Sequence, residues 1–373
     1  MVFTAQDYTF MARALQLAEL GLNTTTPNPR VGCVIVKDNK IIGEGAHLKA
    51  GEPHAEVFAI KQAGSQARGA TIYVTLEPCN HTGRTPPCAN AIVNAGITKV
   101  ICAMQDPNPM VAGQGLAHLQ ANNIEVASGL MQVQAAALNA GFIKRMTQQK
   151  PFVRCKIASS LDGKTALANG ESKWITSDAA RADVQHWRAR SCAILTGIGT
   201  VLSDNPRMYV IDNNAQMRQP LRVVVDSQLR TPPDKFIVNY GETMIAHVRD
   251  PQSRKFISKA SQFNTQNVSF VALPQVEDKV CLPSLLSHLA EIGLNEILVE
   301  GGEGLNGALL QAGLIDELLI YIAPKIMGSS AKGLFALPEL TQMSDVVDLE
   351  ITEMRQIGPD IRLRAKPRFL LAK

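Results

Sequence analysis

The chain has 373 residues, 46% of them apolar and 19% charged, with 5% aromatic residues and a formal net charge of +4. This length favours two domains, and no apolar run approaches the ~18 residues of a membrane-spanning helix. The charge divides evenly, 11 basic against 9 acidic residues in 1–147 and 26 against 24 in 148–373, so neither half offers the basic, aromatic-studded platform of a nucleic-acid enzyme. Seven cysteines, an odd number without a framework spacing, suit a reducing cytosol better than a disulfide scaffold. The first ten residues contain Asp7 and polar side chains where an export signal would be basic and then apolar, so a cytoplasmic location is expected.

In chain order, Asp7 begins an amphipathic helix with Phe10, Ala14, Leu17 and Ala18 on one face. Apolar strand runs at 31–36 and 40–44 flank Asp38-Asn39, a hairpin turn signal. The pattern then predicts a helix opening at His54, a strand over 71–76 and a helix from Cys79. Strands at 100–104 and 124–126 follow, with a helix over 132–146. The alternation predicts a mixed sheet with helices on both faces.

His54-Ala55-Glu56, followed by Glu77-Pro78-Cys79 and Cys88, is the chemical focus of this half. One imidazole and two thiolates can hold zinc and leave its fourth tetrahedral position free, where a bound water would ionise near pH ~7. Glu56 stands two residues from the ligand His54, placed to move that water's proton. This is the donor set of the zinc nucleobase deaminases. The plainer alternative is a surface histidine, a helix glutamate and two metal-free buried cysteines; the combined spacing favours zinc. Eight residues separate Cys79 from Cys88, where the general deaminase signature has two. Gly83, Pro86 and Pro87 allow the longer loop to turn back. It carries His81 and Arg84, a donor and a fixed cation suited to a phosphorylated substrate.

The stretches Pro27-Asn28-Pro29-Arg30-Val31-Gly32-Cys33-Val34-Ile35, Gly43-Glu44-Gly45-Ala46-His47, His54-Ala55-Glu56, and the long loop from Glu77 to Cys88 resemble the deaminase half of the bifunctional riboflavin-biosynthesis deaminase–reductases. The resemblance implies a cytidine-deaminase-like α/β/α domain over residues 1–147. It further implies that Asn28, His47, His81 and Arg84 contact the pyrimidine and its ribose phosphate.

The polar run Gln148-Gln149-Lys150, ending in Pro151, marks a boundary, and a strand over 152–158 opens a second α/β alternation. Strand runs recur at 193–196, 221–225 and 296–300, and 213–219 reads as a polar loop. Val299-Glu300-Gly301-Gly302-Glu303-Gly304 reads as a strand, a glycine turn and a helix start, which directs backbone N–H groups at one spot suited to a phosphate. The spacing departs from Gly-x-Gly-x-x-Gly, and a purely structural turn would look similar.

Lys156-Ile157-Ala158-Ser159-Ser160-Leu161-Asp162-Gly163-Lys164-Thr165, Ser172-Lys173-Trp174-Ile175-Thr176, the run from Ile194 to Pro206, and Val225-Asp226-Ser227 resemble the reductase half of the same family. The resemblance implies a dihydrofolate-reductase-like α/β domain over 148–373. Its NADPH site would be lined by Ala158, Trp174, Thr200, Asp204, Ser227, Gly302, Glu303, Gly304, Leu305, Asn306, Gly307 and Ala308. Ser172, Arg188, Met208 and Glu300 would contact the ribosylaminopyrimidine, and Lys156 would orient it, donate a proton or merely cap a strand. Asn205 replaces a more usual Asp, and Ile211 stands where a phosphate-binding Arg is often found, leaving Arg207 as a substitute. The expected protein is thus a bifunctional α/β enzyme using Zn2+ and NADPH on small phosphorylated pyrimidines, free of nucleic acid and membrane, and a homo-oligomer with a dimer favoured. A deaminase of free or polymeric bases, and a deaminase fused to a domain that only binds ligand, are the alternatives.

Overall fold

The computed structural model describes residues 2–80, 87–211, 218–263 and 266–369. The chain divides into two compact units, Met1–Lys150 and Pro151–Lys373.

In the first unit, helix α1 (Ala5–Glu19) starts two residues ahead of Asp7 because Thr4 and Asp7 form a reciprocal capping box. Its Phe10, Met11, Ala14, Leu15, Leu17 and Ala18 are buried. Strands β1 (Gly32–Lys37) and β2 (Lys40–Ala46) are joined by Asp38 and Asn39, at φ 49° and 59°, the left-handed pair that a two-residue hairpin turn requires. Then come α2 (Ala55–Ala63), β3 (Thr71–Val74), α3 (Cys88–Asn94), β4 (Lys99–Cys102), α4 (Gln114–Ala121), β5 (Glu125–Ser128), α5 (Gln132–Leu138) and α6 (Ala140–Gln148). The sheet order is β2-β1-β3-β4-β5, antiparallel up to β3 and parallel beyond it. Glycine permits the close helix packing: a Cβ at Gly32 would lie 1.9 Å from the Ala14 carbonyl of α1, and one at Gly45 2.0 Å from the Ala55 carbonyl of α2. The start of α2, and with it His54 and Glu56, is thereby pressed onto the sheet.

Two elements depart from the sequence reading. Cys79, from which a helix is expected, is not helical, and α3 opens at Cys88 with Pro87 as its N-cap at φ −57° and ψ 131°, a place where proline's missing N–H costs nothing. The helix expected over 132–146 is interrupted at Asn139, whose backbone (φ −111°, ψ 20°) leaves the helical region. Its buried amide instead accepts from Arg30 N–H at 2.8 Å and donates to the Arg30 carbonyl at 2.9 Å, the competition with helix that Asn is suited to.

The second unit comprises β6 (Phe152–Ser160), α7 (Asp178–Arg190), β7 (Ala193–Gly197), α8 (Ile198–Asp204), β8 (Leu221–Val225), α9 (Phe236–Asn239), β9 (Thr243–His247), α10 (Arg254–Ala260) and β10 (Val268–Ala272). It continues with the short ribbon β11 (Gln275–Val276) and β12 (Lys279–Val280), then α11 (Leu282–Glu291), β13 (Glu296–Val299), α12 (Glu303–Gln311), β14 (Glu317–Ala323), β15 (Asp348–Ile357) and β16 (Asp360–Arg368). The main sheet runs β10-β9-β8-β7-β13-β6-β14-β16-β15, parallel from β10 to β14 and antiparallel at the β16-β15 edge. Its core is apolar on the buried strands, as at Val153, Cys155, Ile157, Leu195, Ile297 and Val299. Most of the polar loop at 213–219 lies outside the described residues.

Candidate active sites

In the first unit, His54 precedes α2 as its N-cap, Cys79 follows β3, and Cys88 opens α3. One ligand atom from each lies within 4.8 Å of the others. His54 Nδ1 is 3.2 Å from Cys88 Sγ and 3.6 Å from Cys79 Sγ, and Cys88 N–H donates to Cys79 Sγ at 3.3 Å. The Cys88 thiol hydrogen-bonds Cys79 and, despite burial, holds it down to about 4, whereas the same bond and burial push Cys88 up. Nitrogen and sulfur donors converging on one point, with one side left open, fit zinc.

Glu56 lies on the first turn of α2, buried, and its Oε2 has no hydrogen-bond partner among the described residues. Burial, then the charge of Cys79, raises its carboxyl to about 7. His47 accepts a hydrogen bond at Nε2 from the Asn28 amide at 3.1 Å and donates from Nδ1 to the Pro53 carbonyl at 3.2 Å. Burial pushes this imidazole down, in keeping with a neutral ring. Asn28, His47, His54, Glu56 and Cys79 line one cleft of about 510 Å³. The expected contacts His81 and Arg84 lie outside the described residues.

The cleft also contains residues that the sequence reading missed: Asp106, Asn108 and Val111 from the loop after β4, and Phe142 and Met146 from α6. The Asp106-Pro107-Asn108-Pro109 run at a strand's carboxyl end was a usable signal, since binding groups gather on such loops. Phe142 and Met146 have helical i, i+4 spacing, but that spacing does not tell a cleft wall from a core face.

In the second unit the parallel strands place their carboxyl ends on one edge, where α/β sheets bind ligands. Ala158 near the end of β6, Thr200 and Asp204 on α8 after β7, Ser227 after β8, and the Glu300–Gly302 turn after β13 all belong to this edge. Gly302 is the N-cap of α12 and is exposed. A Cβ there would meet only Thr200 Oγ1, at 3.8 Å, so the space above the turn is open. Lys173 Nζ donates to the Asp204 carbonyl at 3.1 Å, and Lys325 Nζ to the Trp174 carbonyl at 2.7 Å, drawing the segment with the exposed Trp174 toward the same edge. Within α12, Asn306 is buried, with Oδ1 unpaired.

Glu300, half-buried with its side chain 8% exposed, is bidentate with Arg188 of α7, at 2.6 and 2.9 Å, and Lys156 Nζ is 3.6 Å away. Burial alone would raise this carboxyl, but Arg188 and then Lys156 outweigh it and hold it at about 2. Lys156 therefore belongs to an ion cluster and does more than cap a strand. Ser227 Oγ accepts from Val280 N–H at 3.0 Å. Ser172 is half-buried, in the loop just before Trp174. Met208 is buried among Ile194, Val201 and Val224, so its side chain is not brought to the crevice. Asn205 takes the left-handed C-cap of α8 at φ 44°, a conformation that Asn tolerates well. Ile211 is exposed, and Arg207 stacks over Phe236 at 4.9 Å.

A His/Cys/Cys group able to hold a metal beside a buried carboxylate, together with a glycine turn at the carboxyl edge of a parallel sheet, points to the class of two-domain deaminase–reductases. Comparison with known proteins agrees. The family model for the cytidine and deoxycytidylate deaminase zinc-binding region matches residues 4–104, and that for the RibD C-terminal domain matches 151–363. Riboflavin biosynthesis protein RibD of Escherichia coli is 49% identical over 96% of this chain and 98% of its own, and that of Haemophilus influenzae 46% identical over 98% and 99%. The Acinetobacter baumannii RibD structure superposes with a TM-score of 0.89 at 45% identity, covering 98% of this chain and 99% of its own. The chain belongs to the RibD family, the bifunctional deaminase–reductases of riboflavin biosynthesis.

Proposed function

We propose that residues 1–147 form the deaminase and 148–373 the reductase, acting in turn on 2,5-diamino-6-ribosylamino-4(3H)-pyrimidinone 5′-phosphate. The observation that carries the first assignment is the buried, unpartnered Glu56 oxygen beside three converging metal-ligand atoms. Zinc held by His54, Cys79 and Cys88 supplies Lewis acidity and lowers the pKa of water. Glu56 takes one proton from the attacking water and gives it to ring nitrogen, where it stays, then carries the proton of the added hydroxyl to the departing amine. The exocyclic C–N bond breaks, a C–O bond forms, and ammonia leaves. Asn28 and His47 hold the pyrimidine edge, with His81 and Arg84 assigned to the substrate and its phosphate.

In the reductase the glycine turn and the start of α12 would hold the phosphates of NADPH, and Ala158, Trp174, Thr200, Asp204 and Ser227 would complete its binding site. NADPH supplies the hydride, and the protein orients it. Arg188, Glu300 and Ser172 position the ribosylamino group, and Lys156 orients or protonates the opened sugar. The product is 5-amino-6-(5-phosphoribitylamino)uracil. The enzyme is assigned to the cytoplasm and to a homodimer. The dimer is supported by the edge strand β15, which leaves Leu349, Ile351 and Met354 exposed, a surface suited to pairing with a second copy.

Metal analysis coupled to ammonia release tests the deaminase assignment. The wild-type chain should hold about one zinc, and Cys88→Ser should lose metal and ammonia release together. Full zinc occupancy in Cys88→Ser would refute the ligand set.

A further inference from the structure

Glu77 lies between β3 and the metal-ligand position Cys79, yet its carboxylate is spent on a different segment. It is 5% exposed and accepts four backbone hydrogen bonds. Oε1 receives Gly115 N–H at 2.8 Å and Leu116 N–H at 3.3 Å; Oε2 receives Asp106 N–H and Gly113 N–H, each at 3.0 Å. These fill the roughly four acceptor sites of an ionised carboxylate. The donors are the two ends of the 106–113 loop and the first turn of α4, so the negative charge also meets the positive end of a helix. The fit is close: a Cβ at Gly115 would lie 2.0 Å from the Pro78 carbonyl, and Gly113 has φ 80°. Within the loop, Asp106 Oδ1 accepts from Asn108 N–H at 2.8 Å, and Asn108 Oδ1 from Met110 N–H at 3.1 Å. Asp106, Asn108 and Val111 line the cleft that holds His54, Glu56 and Cys79.

We infer that Glu77 is a positioning residue for deamination. By tying both ends of the 106–113 loop to the strand that delivers Cys79, it fixes one wall of the cleft relative to the metal centre. It neither ligates metal nor moves a proton, because both oxygens are committed to backbone donors. The inference rests on the deaminase reading of this cleft, and its effect falls on how the pyrimidine is held.

Glu77→Gln tests it, since the amide keeps the shape but turns an NH2 toward N–H donors that need an acceptor. The experiment measures zinc content, melting temperature and ammonia release against substrate concentration in the full chain. NADPH oxidation on the deaminated pyrimidine serves as internal control. Expected are wild-type zinc, unchanged reductase activity, and a KM for ammonia release raised about tenfold or more while kcat falls less, the signature of a misplaced substrate. An unchanged KM in folded, zinc-loaded enzyme would overturn the inference, because a merely structural role lowers melting temperature and active fraction alone. Zinc loss at intact fold would overturn it too, by placing the effect on Cys79. If Glu77→Gln fails to fold, Gly113→Ala strains the same loop end away from the metal, and an unchanged KM there is equally decisive. A wild-type chain that released no ammonia from the diaminopyrimidine would sink the deaminase reading itself, and the inference with it.

Discussion

Glu56 and Glu300 are acids of the two candidate sites, the first buried and the second with its side chain 8% exposed, and they differ most in what surrounds them. Glu56 has an unpaired oxygen and a carboxyl raised to about 7 by burial and the neighbouring Cys79. Glu300 is clamped by Arg188, with Lys156 nearby, and is held at about 2. Burial therefore does not decide the role of a carboxylate; its partners do. An acid with no ion pair to lock it as an anion can carry a proton, whereas one held in a bidentate pair is an anion that orients its neighbours.

The comparison breaks most visibly at Glu56. Glu56→Gln should keep zinc and fold while ammonia release falls 10²–10⁴-fold, the typical contribution of a positioned acid–base group, as measured by an ammonia assay on metal-quantified enzyme. At Glu300 the expected loss is of stability. Glu300→Gln leaves Arg188 without its counter-charge and should cost about 3 kcal/mol, read by denaturant unfolding. The sign of the pH effect follows from the depressed value. Glu300's contribution is fully present above its unfolded pKa of about 4.3 and is lost as pH falls through about 2. The wild-type minus Glu300→Gln difference should therefore be flat from pH 8 to 5.

Gly302→Val sharpens the contrast between fold and ligand. With φ −84° and only Thr200 Oγ1 within 4 Å of the added Cβ, the valine should leave melting temperature nearly unchanged while NADPH binding, followed by fluorescence, is lost. A smaller effect is expected at Asn139. Asn139→Ala strands the Arg30 N–H and carbonyl and should cost about 1–3 kcal/mol, read as a lowered unfolding midpoint.

The candidate metal-ligating residues were legible in the sequence because their chemistry is local in type and spacing, and the fold brings one ligand atom each of His54, Cys79 and Cys88 within 4.8 Å of the others. The strands were legible from apolar runs, with β8 at the expected residues. What escaped was set by contacts distant in sequence. Asn139 breaks a helix because of Arg30, more than a hundred positions away. Glu300 is an anchor because of Arg188 on α7, and Glu77 binds a loop some thirty residues downstream. Nor could the sequence tell that Met208 faces the core, since apolar residues adorn crevices and cores alike.

The central claim is that the two domains run separate chemistry at separate sites, with Glu56 serving only the deaminase. Its most direct test is NADPH oxidation by Glu56→Gln, assayed in parallel on the diaminopyrimidine and on its deaminated product. Oxidation at the wild-type rate on the deaminated compound, with none on the diamine, is the predicted result; loss on both compounds would contradict it.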